Sequence, residues 1–332
     1  MTENLTAPAP PSPAREGRAG REPARAPAPA GAARRRRSRA LRPWLLLAPA
    51  LLVIATLLLY PLVQVVLLSF QNKRLGDVVR GTTPWSGFAN YQELFGNETL
   101  WKTVLPNTVV FAVVNVLLTV VVGTLVALLL FRLGTVWRSI VTTSILMAWA
   151  VPAVTGTYVW VFIFDPNNGI AVRLAGALHL VDPATTNWFT ERVPFLSIAT
   201  LNVVHHGFPF VALTVLAGLM TIPSDPIESA LIDGASAWQR FWQITVPMLR
   251  PVFAVVTILS TIWDFKVFAQ LYLMPGGDGA NRDVLNLGVW SYLQSFAQNR
   301  FGYGSAIAVV LTLLLLLITV SYLRVLFKEE EL

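Results

Sequence analysis

Cysteine is absent from this sequence, which excludes disulfide bonds and thiolate metal sites. Charge is scarce: Asp, Glu, Lys and Arg make up 13% of the residues, where a soluble domain carries about 25%. The only lysines are Lys73, Lys102, Lys266 and Lys328, and none follows a glycine. A phosphate-binding loop needs a Gly-Lys pair to cradle and neutralise phosphates, so the sequence offers no nucleotide-hydrolysing loop of its own. Gly-x-Ser-x-Gly, His-Glu-x-x-His and Asp-x-Asp are also missing, which weighs against a membrane-embedded enzyme. No metal site is expected.

What is abundant is apolar surface, at 55% of 332 residues. A single water-soluble core cannot hide that much, and lipid is the natural solvent for it. The net charge of +7 is concentrated at one end: ten arginines lie within residues 15–42, six of them between Arg34 and Arg42. Directly before the first apolar run, such a cluster reads as a topogenic signal and a partner for anionic headgroups rather than for nucleic acid. Residues 1–40 are rich in Pro, Ala and Arg and lack apolar periodicity, so they are expected to be a disordered basic tail. Residues 41–332 form the transmembrane domain.

A bilayer core needs about 20 residues of helix. Six runs satisfy this, over about 44–70, 106–131, 140–164, 195–222, 251–274 and 303–327. The first follows too long a leader for a signal peptide and is expected to be an uncleaved anchor. The predicted fold class is therefore all-α, a membrane protein with six transmembrane helices. Small residues four apart at Gly123/Ala127 and Gly304/Ala308 would let helix backbones approach closely. With the N-terminus inside, twelve basic residues flank the spans inside against eight outside, and without the Arg34–Arg42 cluster the count is six against eight. That cluster decides the orientation. Both termini are then cytoplasmic in the cell membrane, and the loop 223–250 faces the cytoplasm.

That loop is the informative one. Asp225 can cap a short helix, with Pro226 at its first position and Glu228 three residues after the cap. Asp233-Gly234 breaks the chain. Ser236 and Gln239 make a second capping box, opening a helix to about Ile244 that carries Trp238, Phe241 and Trp242. Two capped helices joined at a glycine suggest a docking knob. An amphipathic segment lying on the membrane surface fits the pattern as well.

The loop resembles the EAA motif of bacterial ABC importer permeases: Glu-Ala-Ala, three residues, Gly, nine residues, then Ile-x-Leu-Pro. Here Glu228-Ser229-Ala230, Asp233-Gly234-Ala235, Ile244 and Pro247 keep that spacing, with Ser229 and Val246 as mild departures. The likeness covers about residues 44–327 and extends to the sugar-importing, maltose-type branch. It rests there on Asn90-Tyr91, Asn107-Thr108, Pro152, Gly276-Gly277 and Gly302-Tyr-Gly304-Ser305-Ala306. The resemblance implies a type I importer permease fold. It implies a second permease, two ATPase subunits that consume the ATP, and an extracytoplasmic solute-binding protein as partners. No cofactor would be bound by this chain. The loop would be the coupling helix, seated in a groove of the ATPase, with Glu228 orienting the contact and Gly234 permitting the turn.

Ionisable groups inside the expected spans are few: His205 and His206 in the fourth, Asp264 and Lys266 in the fifth. Charge at membrane depth costs a few kcal/mol and faces protein or a polar path. These four and Asn202 are the candidates for the translocation path. Interhelical hydrogen bonding is the plainer reading of the same residues. Neutral groups nearby, Thr257, Ser260, Thr261 and Gln270, with Trp263 as a stacking face, suit a neutral sugar. The alternatives are a proton-coupled secondary transporter, a membrane-embedded enzyme, or an importer permease for a non-sugar solute.

Overall fold

The computed structural model describes residues 46–182 and 184–330, and leaves out the side chains of 325–330. The expected basic tail, 1–40, and the first residues of the first expected span lie outside the described residues. The chain divides into two units, Met1–Leu59 and Tyr60–Leu332. In the first, residues 46–59 are helical and exposed. Among the described residues of the second, the architecture is helical, with only isolated bridges at Gln71–Trp85 and Arg74–Arg300.

The principal helices of this unit are α1 (Tyr60–Ser69), α2 (Ala89–Gly96), α3 (Leu105–Arg132), α4 (Thr135–Trp149), α5 (Ala153–Ile163) and α6 (Arg192–Leu219). Beyond them come α7 (Asp225–Ile232), α8 (Ala237–Arg240), α9 (Arg250–Phe265), α10 (Ala269–Tyr272), α11 (Leu287–Tyr292) and α12 (Phe301–Glu330). Among the described residues, four stretches are long and apolar enough to cross a membrane: Leu46–Ser69, Leu100–Arg132, Arg192–Leu219 and Phe301–Arg324. Two bent pairs, Thr135–Trp149 with Ala153–Ile163 and Ala237–Met248 with Arg250–Phe265, bring the number to six if each pair is one span.

The third and fifth expected spans are thus not continuous helices. The stretch 140–164 bends by 93° between α4 and α5. Pro152 sits at the bend with extended backbone, where its ring forbids the preceding residue from continuing the helix. The stretch 251–274 opens after a 75° bend at Leu249, because Pro251 has no N–H with which to extend the helix before it. It then stops at Phe265, and only the short α10 follows.

α3 and α6 form the central pair, and small residues from both sides make it close. A methyl group at Gly123 would lie 2.6 Å from Cβ of Val211, and one at Gly207 would lie 3.0 Å from Thr119. Ala127, Val211, Ala212 and Val215 are fully buried around this contact. In lipid, where apolar surface gains little by leaving the solvent, such backbone approach is what holds helices together. The end of α3 is closed by Arg138, whose guanidinium donates to the carbonyls of Leu130, Phe131 and Leu133 at 3.0 Å each. These bonds satisfy carbonyls that the helix end leaves without partners, and the cation suits the negative end of the dipole.

The opposite end, across the bundle from the 223–250 loop, is tied by the residues singled out as family signatures. Asn90 donates to the carbonyls of Ser69 and Gln71, at 2.8 and 2.9 Å, and the Tyr91 hydroxyl shares a 2.7 Å bond with that of Ser69. Asn107 donates to the carbonyls of Asp283 and Leu285 at 2.7 and 2.9 Å, and Thr108 accepts from the Leu287 amide at 2.9 Å. Gly302, at the start of α12, lies against the Gln71 carbonyl. Both carboxylate oxygens of Glu93 accept from one guanidinium nitrogen of Arg300, at 2.6 Å each, and that guanidinium also covers the Tyr303 ring at 4.3 Å. These residues staple loops to helix ends.

Candidate functional site

The 223–250 loop folds into two short helices with a defined corner. α7 begins one residue earlier than the sequence pattern places it. Ser224 occupies the cap with helical backbone angles, Asp225 is the first helical residue, and neither Ser224 nor Asp225 makes a side-chain cap bond to the backbone. At the far end the corner is closed by two backbone bonds. The Ala235 amide donates to the Ala230 carbonyl at 2.9 Å and the Gly234 amide to the Leu231 carbonyl at 3.1 Å. That pair, with Gly234 at φ +78°, is a Schellman motif, which needs left-handed backbone at the glycine. The Ser236–Gln239 capping box expected from the sequence is present: Ser236 N–H donates to Gln239 Oε1 at 2.8 Å, and the Gln239 amide donates to Ser236 Oγ at 3.3 Å. Arg240 donates to the Ala235 carbonyl, bracing the corner from the second helix. Helical backbone then runs on through Phe241–Thr245 and Val246–Met248, past the expected stop at Ile244.

Of the coupling candidates, Glu228, Ser229, Asp233 and Gly234 are exposed, while Ala230, Ala235, Ile244 and Pro247 are half-buried. The two helices present different faces. α7 leaves Ile232 87% exposed and Leu231 52% exposed. The aromatic side chains of the second helix, Trp238, Phe241 and Trp242, stack edge-on at 5.2–5.5 Å. They line a cleft of about 1120 Å³ between α3, α9 and α12. The apolar tip of the knob is therefore Leu231 and Ile232, which the sequence reading did not single out.

The path candidates are not brought together into one cluster. Asn202 is buried in α6 and donates to Thr157 Oγ1 of α5 at 3.2 Å. His205 is exposed, with its ring 5.8 Å from Trp160 and 6.2 Å from Phe208, and His206 is half-buried. Pro209, inside α6, cannot donate to the His205 carbonyl, so the helix is locally loosened at this pair. Asp264 is buried in the last turn of α9, and its Oδ2 has no hydrogen-bond partner among the described residues. Lys266 follows it at the C-cap and is exposed. A lysine there completes the helix end and does not neutralise Asp264; no ion pair between them occurs among the described residues. Trp263 packs edge-on against Phe210 at 4.9 Å.

The fold defines an all-helical, multi-pass membrane protein of the ABC importer permease type. The family described as "Binding-protein-dependent transport system inner membrane component" matches residues 119–329, and the chain belongs to it. It is 38% identical over 295 residues to the diacetylchitobiose uptake system permease protein DasB of Streptomyces coelicolor, covering 89% of each chain. It is 29% identical over 268 residues to the trehalose transport system permease protein SugA of Mycobacterium tuberculosis, covering 81% of this chain and 83% of that one. A chain of the crystal structure of a bacterial ABC transporter involved in the import of the acidic polysaccharide alginate superposes with a TM-score of 0.73 at 21% identity. That match covers 87% of this chain and 98% of the other, and it shows the fold.

Proposed function

We propose that this chain is a permease subunit of an ATP-driven sugar importer, forming half of the translocation path. ATP is consumed by two separate ATPase subunits. A second permease completes the path and an extracytoplasmic binding protein delivers the solute. The observation that carries this reading is the rigid corner at Gly234, held by the Ala235–Ala230 and Gly234–Leu231 bonds at the EAA-like spacing. A capped helix on a fixed corner transmits displacement, and a loop without internal bonds does not. Leu231 and Ile232 supply an apolar tip for a groove on the ATPase, with Glu228 on the same helix to orient it. ATPase closure moves this element, and the bend at Leu249 passes the movement into α9.

A neutral oligosaccharide or glycoside is the proposed cargo. Supporting it are the diacetylchitobiose and trehalose permeases among the relatives. On α9, the half-buried Thr261 and the exposed ring of Trp263 offer a hydroxyl-binding group and a ring face. Asp264 would meet its partner on the second permease. In this reading both termini are cytoplasmic, and the membrane spans follow the four long helices, the bent pair Thr135–Trp149 with Ala153–Ile163, and α9, leaving the 223–250 loop on the cytoplasmic side.

The absence of native cysteine allows a direct test. In single-cysteine variants, Ile232→Cys is expected to cross-link to the ATPase subunit, and Val193→Cys, 73% exposed at the start of α6, is not. A membrane-impermeant maleimide applied to intact cells should label Val193→Cys and spare Ile232→Cys. Labelling of Ile232→Cys from outside, or its failure to reach the ATPase, removes the coupling assignment.

A further inference from the structure

The cleft beside α8 has a composition that a sugar path or a protein-docking groove does not call for. Its walls are apolar: Leu125, Leu128 and Phe131 of α3, Phe253 of α9, and the rings of Trp238 and Trp242. Three cations line it as well, Arg132, Arg240 and Arg250, and among the described residues no carboxylate does. The cations lie at one end. Arg132 closes α3, whose cleft-lining residues run back to Val120, and Arg250 opens α9, whose lining residues run on to Thr257. At about 1.5 Å per residue the apolar trough extends roughly 18 Å along α3 from its arginine. That is close to one leaflet of a hydrocarbon core about 30 Å thick. Tryptophans at the charged end are where the headgroup level favours them.

From this geometry we infer that the cleft is a binding site for one anionic glycerophospholipid, with acyl chains along α3 and the phosphate among Arg132, Arg240 and Arg250. The shape and charge both select this occupant. A soluble sugar would desolvate its hydroxyls against leucine and phenylalanine walls, and a zwitterionic lipid would bring a cation to a site that already holds three. Arg240 also braces the Gly234 corner through the Ala235 carbonyl. A phosphate held at Arg240 therefore touches the element proposed to couple to the ATPase, so lipid would stiffen it. The site itself does not depend on that coupling role.

Native mass spectrometry of the detergent-purified assembled transporter tests this, with dioleoyl phosphatidylglycerol and dioleoyl phosphatidylcholine added in turn. The phosphatidylglycerol is expected to stay on this chain under conditions that strip the phosphatidylcholine. Each arginine near an anionic surface is worth about a fivefold change in affinity, so Arg132→Gln with Arg250→Gln should weaken retention about thirtyfold. The Arg132→Lys, Arg250→Lys variant should keep most of it, because charge rather than a fixed fork attracts the surface. Equal retention of the two lipids by the unmodified protein overturns the proposal. So does an unchanged preference in the glutamine variant, or a cleft filled by a neighbouring subunit that leaves no lipid bound to this chain.

Discussion

Gly234→Pro is expected to abolish uptake while the chain still inserts and assembles. The residue sits at φ +78° and its amide donates to the Leu231 carbonyl. Proline is locked near φ −65° and has no N–H, so it can neither take the left-handed turn nor make the bond. The corner must open, and α7 loses its fixed angle to α8. Neither helix contributes a residue to the two buried clusters, so bundle packing is left intact. Gly234→Ala separates backbone strain from crowding. Nothing lies within 4 Å of an added methyl, so only the left-handed penalty of about 1–2 kcal/mol remains, and partial uptake is expected. Glu228→Lys should match proline in effect by reversing the charge on α7. Uptake assays alongside membrane abundance check all three; wild-type uptake by the proline variant contradicts the coupling role.

Gly302→Ala is expected to cost folded protein rather than coupling. A methyl there would lie 1.7 Å from the Gln71 carbonyl oxygen and 3.1 Å from Asn90 Nδ2. That same carbonyl accepts from Asn90, and the Gly302 amide donates to the Lys73 carbonyl at 3.3 Å. Backbone meets backbone, so no side chain can rotate aside. Overpacking of this kind costs about 1–3 kcal/mol and sometimes more, and with no flexible atom to yield the upper end applies. The melting temperature of the purified complex should fall on the order of 5–10 °C. An unchanged melting temperature would show that α12 and the Gln71 segment do not meet this closely.

The residues that were legible in the sequence are those whose signal is local. Gly234, the Ser236–Gln239 box and the apolar runs could be read from a few neighbours, because backbone sign, capping and helix length are set within a turn or two. The starts of helices shifted by a residue, as at Ser224, because a proline tolerates either of the first two helical positions. The breaks at Pro152 and at Lys266 were hidden inside continuous apolar stretches. Hydropathy measures length and not direction, so a 93° bend leaves no trace in it. Placing both Asp264 and Lys266 inside the fifth span assumed one uninterrupted helix; the helix ends between them, with Asp264 buried and Lys266 exposed. The staples at Asn90, Asn107 and Gly302 were visible as a shared order of residues. Their reason was not, since Asn107 and Leu285 are 178 residues apart and Gly302 and Gln71 farther still.

The central claim is that this chain carries a neutral sugar on behalf of a binding protein. Cells lacking the chain, with and without a restoring copy, should be assayed for uptake of a panel of labelled sugars, amino acids and phosphate. Loss confined to one or a few neutral oligosaccharides or glycosides, regained with the restoring copy, is the expected result. Undiminished entry of every sugar, with loss of an amino acid or of phosphate instead, would contradict the sugar assignment and leave only the family membership.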